Sequence, residues 1–466
     1  MSSAKFHGLN TNNTVMIVTD FIMIFASFIL TLFCAKLFVS DFYLSYSDIE
    51  IYLQFFVFSI PLHLILLGVG LYNEKLRERF NGIVLRIFVA IILGYILTNI
   101  LSQMFTKTFF PHSFNELLFF ITFLTLCNCR FMIIKLGLNQ LSKRRVLVLG
   151  SGKRASIIEQ CMRRKSDRIG LEFVGFVSVE GDAENQIRAE QVLTVSEPLE
   201  TYVLKQNINE LVIAIDERRD NLPIEALLQL KQVGVQITDI IEFVERETGQ
   251  VAVNYLTPSW FLFQNHRSKN QWRTNAYWLF NSFVALSIAL ITLPVMLITV
   301  FAMKMEGGRH FPVLYSQERV GLNGKRFFIY KFTSMRTDAE KNGIQWAQKD
   351  DPRTTKVGKF IRKYRIDELP QLYNVINGDM YFVGPRPERP QFTEGFSSSI
   401  PYYNQRHNVK PGLTGWAQLK YPYGSSEKDA LEKLKFDLYY IRNRNFTLDL
   451  LILLKTSEII LFGKGR

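Results

Sequence analysis

Four stretches of roughly 20 apolar residues, each long enough to cross the hydrocarbon core of a bilayer, constrain this chain before anything else does. They run approximately over Val15–Val39, Ile51–Leu71, Ile83–Leu101 and Leu117–Leu138. Lys75, Arg77 and Arg79 follow the second stretch, and Lys143, Arg144 and Arg145 follow the fourth. The loops near Ser40–Asp48 and Gln103–Asn115 hold a single lysine between them. Because cytoplasmic loops collect Lys and Arg, this bias puts both ends of a four-helix unit, residues 1–142, in the cytoplasm. The first stretch is too long for a cleavable signal peptide and lacks a small-residue cleavage site. Asp20, His63 and Arg130 lie inside the spans, where polar groups can mark a transport path. They are few, and Arg130 sits near a helix end, so a structural role is the better reading.

The net charge of +13 accompanies 39 phenylalanines and 48% apolar residues. A basic excess suits nucleic acid, anionic lipid or phosphorylated small molecules. Beside membrane spans it points to lipid and phosphorylated substrates rather than nucleic acid. Three of the four cysteines (Cys34, Cys127, Cys129 and Cys161) lie in apolar runs, where they act as small hydrophobes, and together they make no disulfide framework.

Residues 143–251 alternate strand-like and helical runs, the pattern of a parallel α/β domain. RVLVLGSGKRA reads as strand, glycine turn and helix start, with Gly150, Gly152 and Ala155 in a G-x-G-x-x-A spacing. Further strands are expected at Phe173–Val177, Leu211–Ile215 and Val233–Ile237, and a helix at Glu225–Gln232. The acidic residue that would hold a ribose is missing from its usual spacing. A Rossmann-like domain without a dinucleotide therefore fits better. Residues 252–276 read as a linker.

A fifth apolar run, Tyr277–Met303, is flanked by Arg267, Lys269 and Arg273 on one side and by Lys304 and Arg309 on the other. Two basic flanks disfavour a simple crossing. Pro294 inside the run removes a helical hydrogen bond. A broken helix that enters the membrane and returns to the same face satisfies both facts; a kinked straight span is the alternative.

Residues 277–466 carry the chemistry. Lys356–Arg365 forms a basic amphipathic turn of helix with Val357, Phe360, Ile361 and Tyr364 on one face. It suits an anionic membrane surface or the domain's own core equally. In RIDELPQL, Asp367 and Glu368 precede Pro370, which is tolerated in a helix's first turn. Helix capping is the commonest use of such an Asp. The functional alternative is an ionised carboxylate beside phosphate, able to attack phosphorus with a metal nearby. Candidate phosphate-binding cations are Arg319, Lys331, Arg386, Arg406 and Lys410, individually ordinary surface charges but set beside Gly and Pro.

The ordered set SQERVGLNGK, YKFTSM, DPRTTKVGKFIRKYRIDELPQLYNVINGDM, FVGPRPERP, RHNVKPGLTGWAQ and FDLYYIRN resembles the bacterial sugar transferases, the polyprenyl-phosphate hexose-1-phosphate transferases. With its four-helix unit and Rossmann-like segment the chain is similar to their large form. EFVERETGQVAVNYLTPSWF further resembles the exopolysaccharide-system subgroup. The resemblance implies a helical catalytic domain, anchored by a re-entrant membrane helix broken at Pro294 and facing the cytoplasm of a bacterial inner membrane. It implies Asp367 as nucleophile toward a UDP-sugar, with UMP released, Glu368 as second acid, and Mg²⁺ at Asp367. Lys331, Arg386 and Arg319 match basic residues of its active site. The acceptor would be undecaprenyl phosphate, in contact with inner-membrane lipids, and the sugar glucose, with galactose or an N-acetylhexosamine as alternatives. Departures are Leu293 before Pro294 (with Thr292 behind it), Thr333 at a usually basic position and Tyr381 at a usually small one. A non-catalytic membrane regulator that senses a nucleotide, and an NAD-dependent oxidoreductase, are the competing readings; neither accounts for the acid pair and its cations. The sugar, the oligomeric state (a homodimer is one option) and the purpose of the α/β segment are not legible.

Overall fold

The computed structural model describes residues 11–38, 47–72, 80–105, 112–136, 143–163, 165–168, 170–180, 182, 186–219, 221–256, 258–262, 271–336, 351–421, 424 and 426–461. The basic residues Lys75, Arg77, Arg79, Arg267 and Lys269 lie outside the described residues. The chain divides into two compact units, Met1–Thr248 and Gly249–Arg466. Its described residues are mostly helical and include five helices long and apolar enough to cross a membrane.

Four of these open the first unit: α1 (Thr11–Phe38), α2 (Asp48–Gly68), α3 (Phe80–Phe105) and α4 (His112–Lys135). Each turns one stripe inward, such as Ile24, Phe28 and Leu32 on α1 or Phe58, Leu62 and Leu66 on α2. Phe25, Phe33, Phe56 and Phe120 stay on the outer surface, as lipid-facing residues would. Polar side chains stitch the bundle at both ends. At one end Asp20 of α1 accepts hydrogen bonds from Arg130 of α4 and from the Tyr72 hydroxyl, the latter at 2.7 Å. At the other, the Gln54 amide donates to Asn115 and the Asn115 amide to Asn99, both at 3.1 Å. Asp20 and Arg130 thus bind each other across helices, which supports their structural reading. His63 Nδ1 lies 2.8 Å from the Ser59 carbonyl of its own helix.

The first unit continues as β1 (Arg144–Leu149), α5 (Ser156–Cys161), β2 (Leu171–Val177), β3 (Val192–Leu193), α6 (Leu199–Lys205), β4 (Glu210–Ile213), α7 (Ile224–Gln232), β5 (Gln236–Asp239) and α8 (Ile240–Thr248). The strands form one parallel sheet in the order β3-β2-β1-β4-β5. Two differences from the sequence reading stand out. The last strand begins at Gln236 rather than Val233, because Gly234 turns the chain at φ 96°. The two-residue β3 is too short to show a period.

The order places a crevice between the carboxyl ends of β1 and β4, the usual ligand site of such sheets. Here several backbone amides near it have carboxylate partners within the domain. Asp216 accepts hydrogen bonds from the Lys153 and Arg154 amides at 2.8 and 2.7 Å, and Asp182 accepts one from the Ser151 amide at 2.8 Å. Arg154 and Arg218 both reach Asp239. Gly150, at φ 120°, lies so close to the Ala214 backbone that a side chain would overlap it. Gly150 of the fingerprint thus allows close approach to the β4 end.

The second unit comprises α9 (Pro258–Leu262), α10 (Gln271–Gly307), the antiparallel hairpin β6 (Leu314–Val320) and β7 (Arg326–Phe332), then α11 (Lys356–Lys363), a 3₁₀ turn (Ile366–Gln371) and α12 (Leu372–Asn377). Next come β8 (Tyr381–Val383), α13 (Pro390–Ser399), β9 (Gly412–Thr414), α14 (Trp416–Lys420), α15 (Glu427–Asn443) and α16 (Phe446–Leu461), with β8 and β9 parallel. Val251 and Val253 are buried in this unit's core, with Leu256, Trp260 and Phe261 packed against it. The expected linker thus contributes core residues.

Helix α10 continues through Pro294. The proline deletes one backbone bond but does not end the helix, in contrast to the expected break. Asn281, Ala285, Thr299 and Met303 bury one stripe along its length, while Phe283, Leu290, Ile291, Ile298 and Phe301 remain exposed. On α11, Ile361 and Val357 pack inward with Met303 and Phe332. Phe360 points outward instead of sharing that face.

Candidate active site

Asp367 and Glu368 lie in the first turn of the 3₁₀ segment, not at an α-helix N-terminus. Helix α11 ends at Lys363, and Arg365 adopts the left-handed region (φ 54°, ψ 24°) before the chain re-enters a helical turn. For a residue with a Cβ this costs about 1 kcal/mol. The conformation lets the Arg365 guanidinium fold back onto Glu368 Oε2 at 3.2 Å. No side-chain cap forms there, so the capping role expected of Asp367 is not realised.

Three cations converge on Glu368. Lys331 of β7 donates to its Oε1 at 2.9 Å, Arg386 to the same oxygen at 3.0 Å, and Arg365 to Oε2. Burial opposes ionisation of Glu368, yet these charges together hold its carboxyl well below the usual range. The approach of β7 to the acid turn is secured by the fully buried Asn374. Its amide donates to the Phe328 carbonyl at 2.7 Å, and its carbonyl accepts from the Tyr330 amide at 3.3 Å.

Asp367 is different. Its half-buried carboxylate takes no hydrogen bond from the described residues. Burial, then the adjacent Glu368 charge, push it up to about 6 against the pull of Lys331, Arg362 and Arg365. Two neighbouring acids are thereby driven apart, one locked as a charged anchor and one poised near neutrality. Such divergence is a mark of functional pairs. Lys331 is lowered by burial, partly restored by Glu368.

The remaining predicted cations separate from this cluster. Arg319 donates to the Pro387 carbonyl at 3.0 Å and to Gln317 at 2.7 Å, and lies 3.8 Å from Glu388. Arg406 is buried against Asp437, Tyr403 and the Arg386 carbonyl. Lys410 sits over the Tyr381 ring, 4.9 Å from its centre, with Arg444 on the same ring at 5.2 Å. That gives the bulky Tyr381 a packing role. Arg406 and Lys410 do not reach the acid pair. Sequence reasoning missed Arg365, whose i,i+3 spacing to Glu368 was the available signal, and Asp437, which stands in FDLYYIRN.

A divalent cation fits Asp367 in one way. Mg²⁺ commonly takes one or two carboxylates and completes its shell with substrate phosphates and water. Asp367 offers a carboxylate that accepts no hydrogen bond from the described residues, whereas both Glu368 oxygens are engaged. Among the described residues no group of three or more His, Cys, Asp or Glu side chains forms a ready-made metal cage.

The sequence of this unit also matches known proteins. The model of the bacterial sugar transferase family matches residues 272–463. The chain is 48% identical over 172 residues to the UDP-N-acetylgalactosamine-undecaprenyl-phosphate N-acetylgalactosaminephosphotransferase of Aeromonas hydrophila, covering 37% of this chain and 40% of that one. It is 28% identical over 329 residues to the undecaprenyl-phosphate glucose phosphotransferase of Komagataeibacter xylinus, covering 69% of this chain and 60% of the relative. The chain thus spans less than two-thirds of either relative's length. It is also 38% identical over 194 residues to the exopolysaccharide production protein PSS of Rhizobium leguminosarum, covering 40% of this chain and 96% of that protein. The chain belongs to the bacterial sugar transferase family.

Proposed function

We propose that this protein transfers a hexose-1-phosphate from a UDP-sugar to undecaprenyl phosphate at the cytoplasmic face of a bacterial inner membrane, initiating a cell-surface polysaccharide. The observation that carries the reading is the divided acid pair, with Glu368 held by Lys331, Arg386 and Arg365 and Asp367 left available. In the first step an Asp367 oxygen attacks the sugar-bearing phosphorus. The bond from that phosphorus to the bridging oxygen breaks, and UMP leaves with the electron pair. In the second step a phosphate oxygen of undecaprenyl phosphate attacks the same phosphorus, and the bond to Asp367 breaks to regenerate the carboxylate. Lys331 and Arg386, already converged on Glu368, would face the pyrophosphate and offset its charge. Mg²⁺ bound through Asp367 would neutralise phosphate charge and stabilise the leaving group.

We read α1 to α4 as four crossings and α10 as a helix that stays with its own domain. Both of its ends engage the second unit. Near the N-terminus the Tyr277 hydroxyl reaches Asp449, and Asn281 accepts from the Phe382 amide at 3.1 Å. Near the C-terminus Glu306 accepts from the Lys356 and Val357 amides at 2.7 and 2.8 Å. A straight helix of this length, 37 residues, would extend about 55 Å. A crossing helix would carry its far half away from the domain, so the packed stripe supports an anchor that stays on one side of the membrane with its apolar face in lipid.

The test is UMP release by the full chain in nanodiscs with undecaprenyl phosphate, using UDP-glucose, UDP-galactose and UDP-N-acetylgalactosamine. The sequence expectation is glucose. N-acetylgalactosamine is the second reading, favoured by the 48% identity to the Aeromonas enzyme. Release should vanish in Asp367→Asn and on chelation of Mg²⁺; full activity of Asp367→Asn would remove the proposed nucleophile.

A further inference from the structure

The loop that carries Arg386 has little secondary structure of its own, yet it is gripped from several sides. The Gly384 amide donates to the Thr414 carbonyl at 2.9 Å, and the Gly412 amide to the Pro385 carbonyl at 3.0 Å. From one flank Arg319 donates to the Pro387 carbonyl. From the other, Arg406 Nη2 donates to the Arg386 carbonyl at 3.0 Å. The same nitrogen reaches Asp437 Oδ2 at 2.9 Å, while Nη1 donates to the Tyr403 hydroxyl at 2.6 Å.

The Arg406 and Asp437 side chains are only 5% and 2% exposed. Burying such a pair strips the hydration of both ions before their attraction is counted, so it is a poor device for stability alone. Its geometry suits another task. A planar guanidinium with five donors can hold a carboxylate, a hydroxyl and a carbonyl in one fixed arrangement. The carbonyl it holds belongs to the residue whose side chain meets Glu368. Neither Arg406 nor Asp437 bonds to Asp367 or Glu368 directly.

We infer that Arg406, locked by Asp437, is a positioning residue that sets the Arg386 guanidinium against Glu368 and the phosphate substrate, rather than a phosphate ligand itself. The inference rests on the proposed function, because Arg386 matters only if the acid pair performs the transfer. It assigns Asp437 the role of orienting Arg406 and gives the RHNVKPGLTGWAQ segment the task of holding the GPRP loop.

The experiment is a double-mutant cycle on the full chain in nanodiscs, reading kcat/KM for UMP release. In the native background Arg406→Met and Asp437→Asn should each lower kcat/KM by about 10- to 100-fold, the scale of a small misplacement of a catalytic group. In an Arg386→Met background the same changes should cost less than about threefold, because residues that act through one group are not additive. Losses of equal size in both backgrounds would overturn the inference. Arg406→Lys keeps the charge beside Asp437 but lacks the planar fork. It should give the same non-additive pattern if Arg406→Met fails to fold, and additive losses would again refute the idea. Asp367→Asn is run alongside. If it retains release, the proposed function fails; if it is inactive while the Arg406 effect is independent of Arg386, only the positioning role fails.

Discussion

Replacing Asp367 by Asn and Glu368 by Gln should move stability in opposite directions, although the two residues are adjacent. For Asp367 the folded value of about 6 lies above the unfolded 3.8. A group raised in this way contributes stability below the unfolded value and loses it as pH rises through the folded one. Above pH 6 the charged carboxylate therefore weakens the fold, by at most about 3 kcal/mol from the size of the displacement. Solvent at this half-buried group reduces the figure, so ~1–2 kcal/mol is the working expectation. Asp367→Asn removes that penalty and should be more stable than the native protein at pH 7.5, with the gap closing toward pH 4. Glu368 is the reverse case, a buried carboxylate held down by three cations. Glu368→Gln leaves Lys331, Arg386 and Arg365 facing one another and should cost about 3–5 kcal/mol. All five tryptophans (Trp260, Trp272, Trp278, Trp346 and Trp416) lie beyond residue 249, so thermal unfolding followed by tryptophan fluorescence reports on the catalytic unit. The same preparations are assayed for UMP release, where kcat should fall by about 10⁴-fold or more in Asp367→Asn, as for other nucleophile deletions. Native kcat/KM should fall as Asp367 becomes protonated, at a pH below 6, because bound Mg²⁺ would favour its carboxylate. A destabilised Asp367→Asn at pH 7.5, or a stabilised Glu368→Gln, would refute the division of roles.

Other changes test the frame around the site. Gly412→Ala would drive a methyl group into the Gly384 amide and the Thr414 carbonyl; it should lower catalytic-unit stability by about 1–3 kcal/mol, read from the same fluorescence melt. Asp20→Asn or Arg130→Met alone should destabilise the helical bundle by about 3–5 kcal/mol, with the double variant closer to native, as measured by denaturation in mixed micelles. Asp216→Ala would uncap the Lys153 and Arg154 amides and should cost about 0.5–2 kcal/mol, seen as faster hydrogen exchange at those amides and in α5.

Much of this protein was legible in one dimension. The apolar runs predict α1 to α4 and α10, because membrane helices need only length and hydropathy, which are local. The acid pair and Lys331 and Arg386 were likewise readable from short motifs. Pro294 misled because a single proline deletes one hydrogen bond without ending a helix whose other bonds survive, and β5 was displaced by the turn at Gly234. Asp367 looked like a cap because sequence shows a helix start but not the 3₁₀ geometry that Arg365 imposes.

Which cation serves which acid was beyond any local pattern. Arg319, Lys331, Arg386 and Arg406 look alike in sequence, each a basic residue in a short motif. Only tertiary packing separates them. Strand β7 presses Lys331 onto the acid turn, and the parallel contact of β8 with β9 brings the Arg386 loop within reach of Arg406. The apolar pattern determined which helices are long and apolar enough to cross a membrane, and the motifs pointed to the family. Contacts between distant residues decided that Glu368 is the anchored acid and Asp367 the available one, because charge partners are chosen by distance in space and burial, neither of which spacing along the chain records.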